Sequence, residues 1–186
     1  TSIKPTLAQS SYTAATDEQK AAYLTYLKSL FTLLGESESD AAAQARLIWN
    51  TEASIANASL TTQEGADVSK TYNVYTLDQL QQLFPNADIG GVFRHAGFKQ
   101  TSTIVVTDVG ALKAAAASFD DAHLAALKAI APSELAGGFG EYLNEDFTAA
   151  TEQFQNAYAG TSGSVSEDQK VLAQIAPKAT IEYLSM

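Results

Sequence analysis

The sequence predicts an all-α fold: a single multi-helix domain of about seven to eight helices with one short extended segment. Three observations carry that expectation. Apolar residues recur at helical spacing along most of the chain, capping residues stand where those runs begin, and only one stretch, Ser102-Thr103-Ile104-Val105-Val106, reads as a strand. No repeat of fixed period interrupts the pattern, and 186 residues suffice for one domain with a substantial core.

Residues 1–15 (TSIKPTLAQSSYTAA) have no periodicity and read as an extended lead-in; residues 16–186 form the helical domain. A first helix is expected over about Asp17–Leu34. Thr16 and Gln19 form a capping box there, and Gly35 stands at the C′ position. Its apolar side is Tyr23, Leu24, Tyr26, Leu27, Leu30, Phe31, Leu33 and Leu34. A second helix, about Glu38–Ala58 with Ser37 as cap, places Ala41, Ala45, Ile48, Trp49, Ile55 and Ala56 on one arc. A polar loop, residues 60–69, leads to KTYNVYTLDQLQQLFP, residues 70–85. That stretch is an extended Tyr-Asn entry, a second capping box at Thr76 and Gln79, a two-turn helix, and a stop at Pro85.

Further helices follow: Ile89–Ala96 capped by Asp88, one from Thr107 or Asp108 to about Ser118, and one from Asp120 or Asp121 to about Ala136. The last of these should break at Gly137, Gly138 and Gly140. Asn144 caps Glu145–Tyr158. After the flexible GTSGS, residues 160–164, Ser166 and Gln169 open a helix over about Glu167–Leu184 that Pro177 should kink.

Glu52 is the exception to the apolar arc of the second helix. At 100° per residue, Ala41, Ala45, Ile48 and Ile55 lie within about 60° of it. Its carboxylate is therefore aimed at the core, where an isolated charge is costly and must find partners. The candidates are Arg94, Lys70, the Tyr72 hydroxyl and the backbone of Tyr72–Tyr75.

Composition narrows function. Twenty-one acidic residues against 11 basic give a net charge of −10, which argues against nucleic acid and anionic membranes as partners. Cysteine is absent, so disulfides and thiolate metal sites are excluded. No apolar run is long enough for a membrane span, and no signal peptide opens the chain; cytoplasmic and extracytoplasmic locations both stay open. Thr1 in place of Met suggests a segment cut from a longer parent.

No catalytic, cofactor-binding or metal-binding residue can be assigned. His95 and His123 stand apart with no HExxH, and His95 suits the dipole at a helix end. Paired acids such as Glu145-Asp146 and Asp120-Asp121 sit at helix starts, where capping explains them. No GxSxG elbow is present, and Gly90-Gly91 and Gly137-Gly138-Phe139-Gly140 lack the strand–loop–helix setting of a phosphate cradle.

Read as a series, AYLTYLKSLFTLLGES, ARLIWNTEASIANASLT, KTYNVYTLDQLQQLFP, TIVVTDVGALKAAAA and LNEDFTAATEQFQNAYAGTS closely resemble the N-terminal half of neprilysin-like zinc metalloendopeptidases. That family includes neprilysin, the endothelin-converting enzymes and bacterial oligopeptidases. Tyr72-Asn73-x-x-Thr76-Leu77 and Ile104-Val105-Val106 before a helix are the most specific marks, and the matching order runs from about Tyr12 to Met186. Two features depart from the family: Gly65-Ala66-Asp67-Val68 replaces a loop with a basic residue, and Pro177 interrupts the last helix.

The resemblance implies a helical cap domain, without activity of its own, that closes over a C-terminal zinc-bearing catalytic domain of the same bacterial parent. It also implies oligopeptide substrates in the parent, zinc in the parent only, and no cofactor in this segment. A free-standing helical protein- or peptide-binding module is the alternative. An excised cap should expose the apolar surface its catalytic partner covers, with Tyr183 and Leu184 near the chain end as contributors and homodimerisation as the symptom.

Overall fold

In the computed structural model, which describes residues 5–99 and 103–160, the chain is built from nine α-helices and one two-stranded ribbon among those residues. The helices are α1 (Ser10–Thr13), α2 (Asp17–Leu33), α3 (Glu38–Ala58), α4 (Val68–Thr71), α5 (Leu77–Leu83), α6 (Ile89–His95), α7 (Val109–Ala117), α8 (Leu124–Leu143) and α9 (Glu145–Ala159). The strands are β1 (Asn73–Thr76) and β2 (Thr103–Val106). The fold is all-α in class, as the periodicity requires.

Capping residues set the helix starts. Thr16 accepts from the Gln19 N–H at 3.2 Å while the Thr16 N–H donates to the Gln19 side chain at 3.1 Å. Thr76 and Gln79 repeat the arrangement at 3.2 and 2.8 Å. Ser37, Asp88, Asp108 and Asn144 each accept from a backbone N–H in the first turn of α3, α6, α7 and α9. α2 ends one residue before the expected Leu34, with Gly35 beyond it at φ +98°.

The larger layer joins α2, α3, α8 and α9. α2 packs on α3 and α9, α8 on α3 and α9, and α1 on α3. Its core gathers Tyr12, Tyr23, Leu27, Phe31, Ala41, Ala45, Ile48, Trp49 and Ala56. The predicted arc of α3 is buried throughout. The buried side of α2 differs slightly from expectation: Leu33 and Leu34 are exposed while Ala22 goes inside.

The smaller lobe stacks α5 and α6 against the ribbon around Leu77, Leu80, Ile104 and Val106. Within the described residues the expected strand is present over Thr103–Val106. The Tyr-Asn entry is its antiparallel partner, in the register Asn73↔Val106 to Thr76↔Thr103. Asn73 reinforces the pairing by donating from Nδ2 to the Val106 carbonyl at 3.1 Å. α7 connects the two regions. Asp108 caps α7 through the Ala111 N–H at 2.8 Å and with its other oxygen accepts from the Leu60 N–H at 2.8 Å, tying the end of α3 to the start of α7. The approach there is so close that a Cβ on Gly110 would lie 2.0 Å from the Ala58 carbonyl oxygen. Only glycine fits.

Two expectations need correction. Residues 1–15 are not simply an extended lead-in: within the described part, Ser10–Thr13 is a helical turn and Tyr12 is buried. A single aromatic anchored in a core outweighs the absence of local periodicity. The helix expected to break at the glycines also does not break; α8 runs through Pro132, Gly137, Gly138 and Gly140 to Leu143. Packing against the neighbouring helices overrides weak intrinsic propensity. At Gly137 the packing explains the residue itself, because a Cβ there would sit 3.0 Å from the Tyr26 hydroxyl. α8 accordingly starts later than expected, at Leu124, after Asp120 has bonded the His123 backbone at 2.9 Å. The helix expected over Glu167–Leu184, with its kink at Pro177, lies outside the described residues.

Candidate functional site

The most unusual chemistry in the molecule is at Glu52, near the middle of α3. The residue is 3% exposed, in keeping with its place on the apolar arc. The partners proposed for it from sequence are not its partners. Arg94 lies 3.7 Å from Asp88, Lys70 pairs with Glu64 at 2.8 Å, and Tyr72 is exposed on the far lobe. The groups that reach Glu52 come from the chain's beginning and from α2. The Thr6 N–H donates to Oε1 at 3.1 Å, and the Thr6 hydroxyl donates to the same oxygen. The Tyr12 and Tyr23 hydroxyls each donate to Oε2 at 2.9 Å.

Four donors and no cation is a set that satisfies a carboxylate through hydrogen bonds alone. The arrangement extends outward. Tyr12 Oη also accepts from the Leu7 N–H at 3.1 Å. The Trp49 ring lies 5.1 Å from that of Tyr12 and 6.1 Å from that of Tyr23, with Lys20 Nζ 5.3 Å from the Trp49 centroid. Burial, and after it the Glu52 charge, push the ionisation of both tyrosine hydroxyls above its ordinary range, so they remain donors at neutral pH. A signal for this cluster did exist in the sequence. Tyr23 falls on the inward face of α2, and a buried tyrosine hydroxyl, like a buried carboxylate, requires a partner.

The two histidines are engaged locally. His95 Nδ1 donates to the Gly91 carbonyl at 2.8 Å within α6, and His123 Nδ1 lies 2.7 Å from Asp120 Oδ1. Among the described residues, no three His, Asp or Glu side chains converge as a metal site would require. Those residues therefore do not fit a zinc ion. Among them, too, no helix is long and apolar enough to cross a membrane.

Clefts lie on both sides of residues 5–9, and a smaller apolar cavity of about 110 Å³ lies in the small lobe between Leu80, Phe84, Phe93, Ile104 and Leu112. α8 presents Leu135, Phe139 and Leu143 at four-residue spacing, each more than half exposed (61, 57 and 53%).

The sequence profile of peptidase family M13 matches residues 3–180, nearly the whole chain. The chain belongs to peptidase family M13. The match is to the family's N-terminal domain. Two solved structures share the fold, both of the Mycobacterium tuberculosis zinc metalloprotease Zmp1. Its open state, solved by cryo-electron microscopy, superposes with a TM-score of 0.78 at 19% identity over 95% of this chain and 28% of Zmp1. Its crystal structure with an inhibitor gives 0.73 at 20% identity over 90% of this chain and 26% of Zmp1. At such identity the likeness is one of fold. The M13 domain described here spans little more than a quarter of the Zmp1 chain. No curated protein matches the sequence.

Proposed function

We propose that this M13 domain is the non-catalytic helical cap of a zinc metalloendopeptidase, walling the chamber in which oligopeptides are cut and excluding folded proteins from it. The observation that carries the reading is the match of an N-terminal M13 domain along residues 3–180. Zinc and the residues that use it belong to the remainder of the parent enzyme, with which this domain packs.

The exposed apolar row on α8 supports that packing. Leu135, Phe139 and Leu143 form a face of the kind a larger partner covers. The chain ends were expected to supply this surface. Tyr183 and Leu184 lie outside the described residues, and within those residues the row on α8 is the surface of that kind to which the proposal assigns the partner. In the isolated chain the same face would support homodimerisation.

The reading is tested by titrating the isolated chain with zinc in a calorimeter and assaying it on short peptides. Neither stoichiometric tight binding nor hydrolysis is expected. Tight one-to-one zinc binding accompanied by peptide cleavage would overturn the assignment. The α8 face is tested by sedimentation: Phe139→Glu should shift any dimer to monomer, and a dimer insensitive to that change would place the contact elsewhere.

A further inference from the structure

Residues 5–9 separate two clefts. One, of about 600 Å³, opens between this segment, residues 59–62 and Asp108; the other, of about 470 Å³, opens toward Tyr26, Ser133 and Phe154. Thr6 and Leu7 line both, so they form the wall between them. The wall is thin. Pro5–Ala8 belongs to no helix or strand, and along 5–9 half-buried and exposed residues alternate.

Its attachment to the body is concentrated. Thr6 donates twice to Glu52, and the Leu7 N–H donates to the Tyr12 hydroxyl, which itself donates to Glu52. Among the described residues, the Leu7 side chain also packs against the larger core, Gln9 Nε2 reaches the Ser59 carbonyl at 3.4 Å, and the Ala8 and Gln9 carbonyls accept from the Ser11, Tyr12 and Thr13 backbone of α1. The helices beneath are held by their own backbone ladders and by buried apolar clusters. Segments with few buried contacts open at lower free energy than the bodies they lie on.

We propose that Pro5–Gln9 is a strap that opens as a unit from an otherwise folded domain, that Glu52 is its catch, and that opening joins the two clefts into one continuous groove. The carboxylate explains why the strap closes in one register. Its two oxygens divide the donors, Oε1 taking Thr6 of the strap and Oε2 the two tyrosines of the body. Loss of Glu52's charge weakens the strap's hold without removing any backbone hydrogen bond of α2 or α3. The inference does not depend on the peptidase reading.

The chain has no cysteine, so single introduced thiols report cleanly. Leu7→Cys places a thiol on the strap. Ser118→Cys places one in the body, at a 5% exposed position at the end of α7 whose hydroxyl donates to the Ala114 carbonyl. In the full chain, the strap thiol should react with an aromatic disulfide reagent about tenfold faster than the body thiol, because local opening precedes global unfolding. Adding Glu52→Gln should speed the strap thiol by a further factor of about ten without urea. The strap rate should stay nearly independent of urea while the body rate rises steeply with it, because only global unfolding exposes much surface. Thr6→Val, a change within the strap that removes the hydroxyl donor to Glu52, should speed the strap thiol by about threefold or more. Equal rates at the two sites, the same steep urea dependence at both, or no response of the strap thiol to either variant would overturn the proposal.

Discussion

The larger helical layer and the smaller ribbon lobe solve the same problem by different physics. The lobe around Leu77, Leu80, Ile104 and Val106 is aliphatic and is assembled from short elements whose starts and stops are locally encoded. The layer around Tyr12, Tyr23, Trp49 and Glu52 places a charge among aromatic rings and satisfies it with donors 29, 40 and 46 residues distant in sequence. One core opens to solvent at an apolar pocket of about 110 Å³. The other depends on a complete set of hydrogen bonds, because a buried polar group left without its partner has its desolvation uncompensated. The lobe is thus held by apolar area and by the half-buried Gln81, which bonds the Phe84 and Ala87 carbonyls and the Gly90 N–H. The layer is held by area and by one buried charged centre.

That contrast orders the expected effects of substitution. The largest belongs to Glu52→Ala, which strands two tyrosine hydroxyls and both Thr6 donors; a loss of about 4 kcal/mol is expected in urea denaturation. Glu52→Gln, which keeps an acceptor, should cost roughly half as much. Equal effects of the two variants would mean that packing, not hydrogen bonding, dominates at this position. Leu77→Ala in the lobe follows at about 3 kcal/mol, a cavity cost with no polar component. Leu77 is 1% exposed, and a much smaller loss would show that the lobe collapses around the gap.

The next effect is a pH dependence confined to the layer. Tyr12 and Tyr23 ionise at higher pH in the folded chain than unfolded, so their contribution is fully present below the unfolded value of about 10. It declines as pH rises above that value, by about 1 kcal/mol for each tyrosine over the first unit. Denaturation at several pH values from neutral to alkaline should show the decline, and Tyr12→Phe with Tyr23→Phe should flatten it. The smallest of the series is Thr76→Ala, which removes a capping box from α5 and should cost about 1 kcal/mol by the same titration.

The same contrast explains what could be read in advance. The bounds of α3, the caps at Thr16, Ser37, Thr76, Asp88 and Asn144, and the inward aim of Glu52 all follow from spacings within a single helix. The partners of Glu52 do not. The candidates Arg94, Lys70 and Tyr72 satisfied the rule that a buried charge needs a partner, but nothing in a linear pattern states which of several donors will be brought near. Tyr12 was hidden because it lies in a stretch without periodicity, where one anchored ring decides the structure. α8 shows the reverse error: Gly137, Gly138 and Gly140 are local signals to stop, and close contact with Tyr26 and Phe147 overrides them. The strand pairing of Asn73–Thr76 with Thr103–Val106 was missed for a related reason, since a single extended entry gives no sign of its partner.

The central claim is that Glu52 and the tyrosines act as one unit while the two cores act separately. The most direct measurement is a pair of double-mutant cycles by chemical denaturation, Glu52→Ala with Tyr23→Phe and Glu52→Ala with Leu77→Ala. The first pair should show a coupling of about 1.5 kcal/mol, because Tyr23 has nothing to donate to once the carboxylate is gone. The second should be additive to within about 0.5 kcal/mol, as expected for groups in separate clusters. Additivity in the first cycle, or strong coupling in the second, would contradict the account.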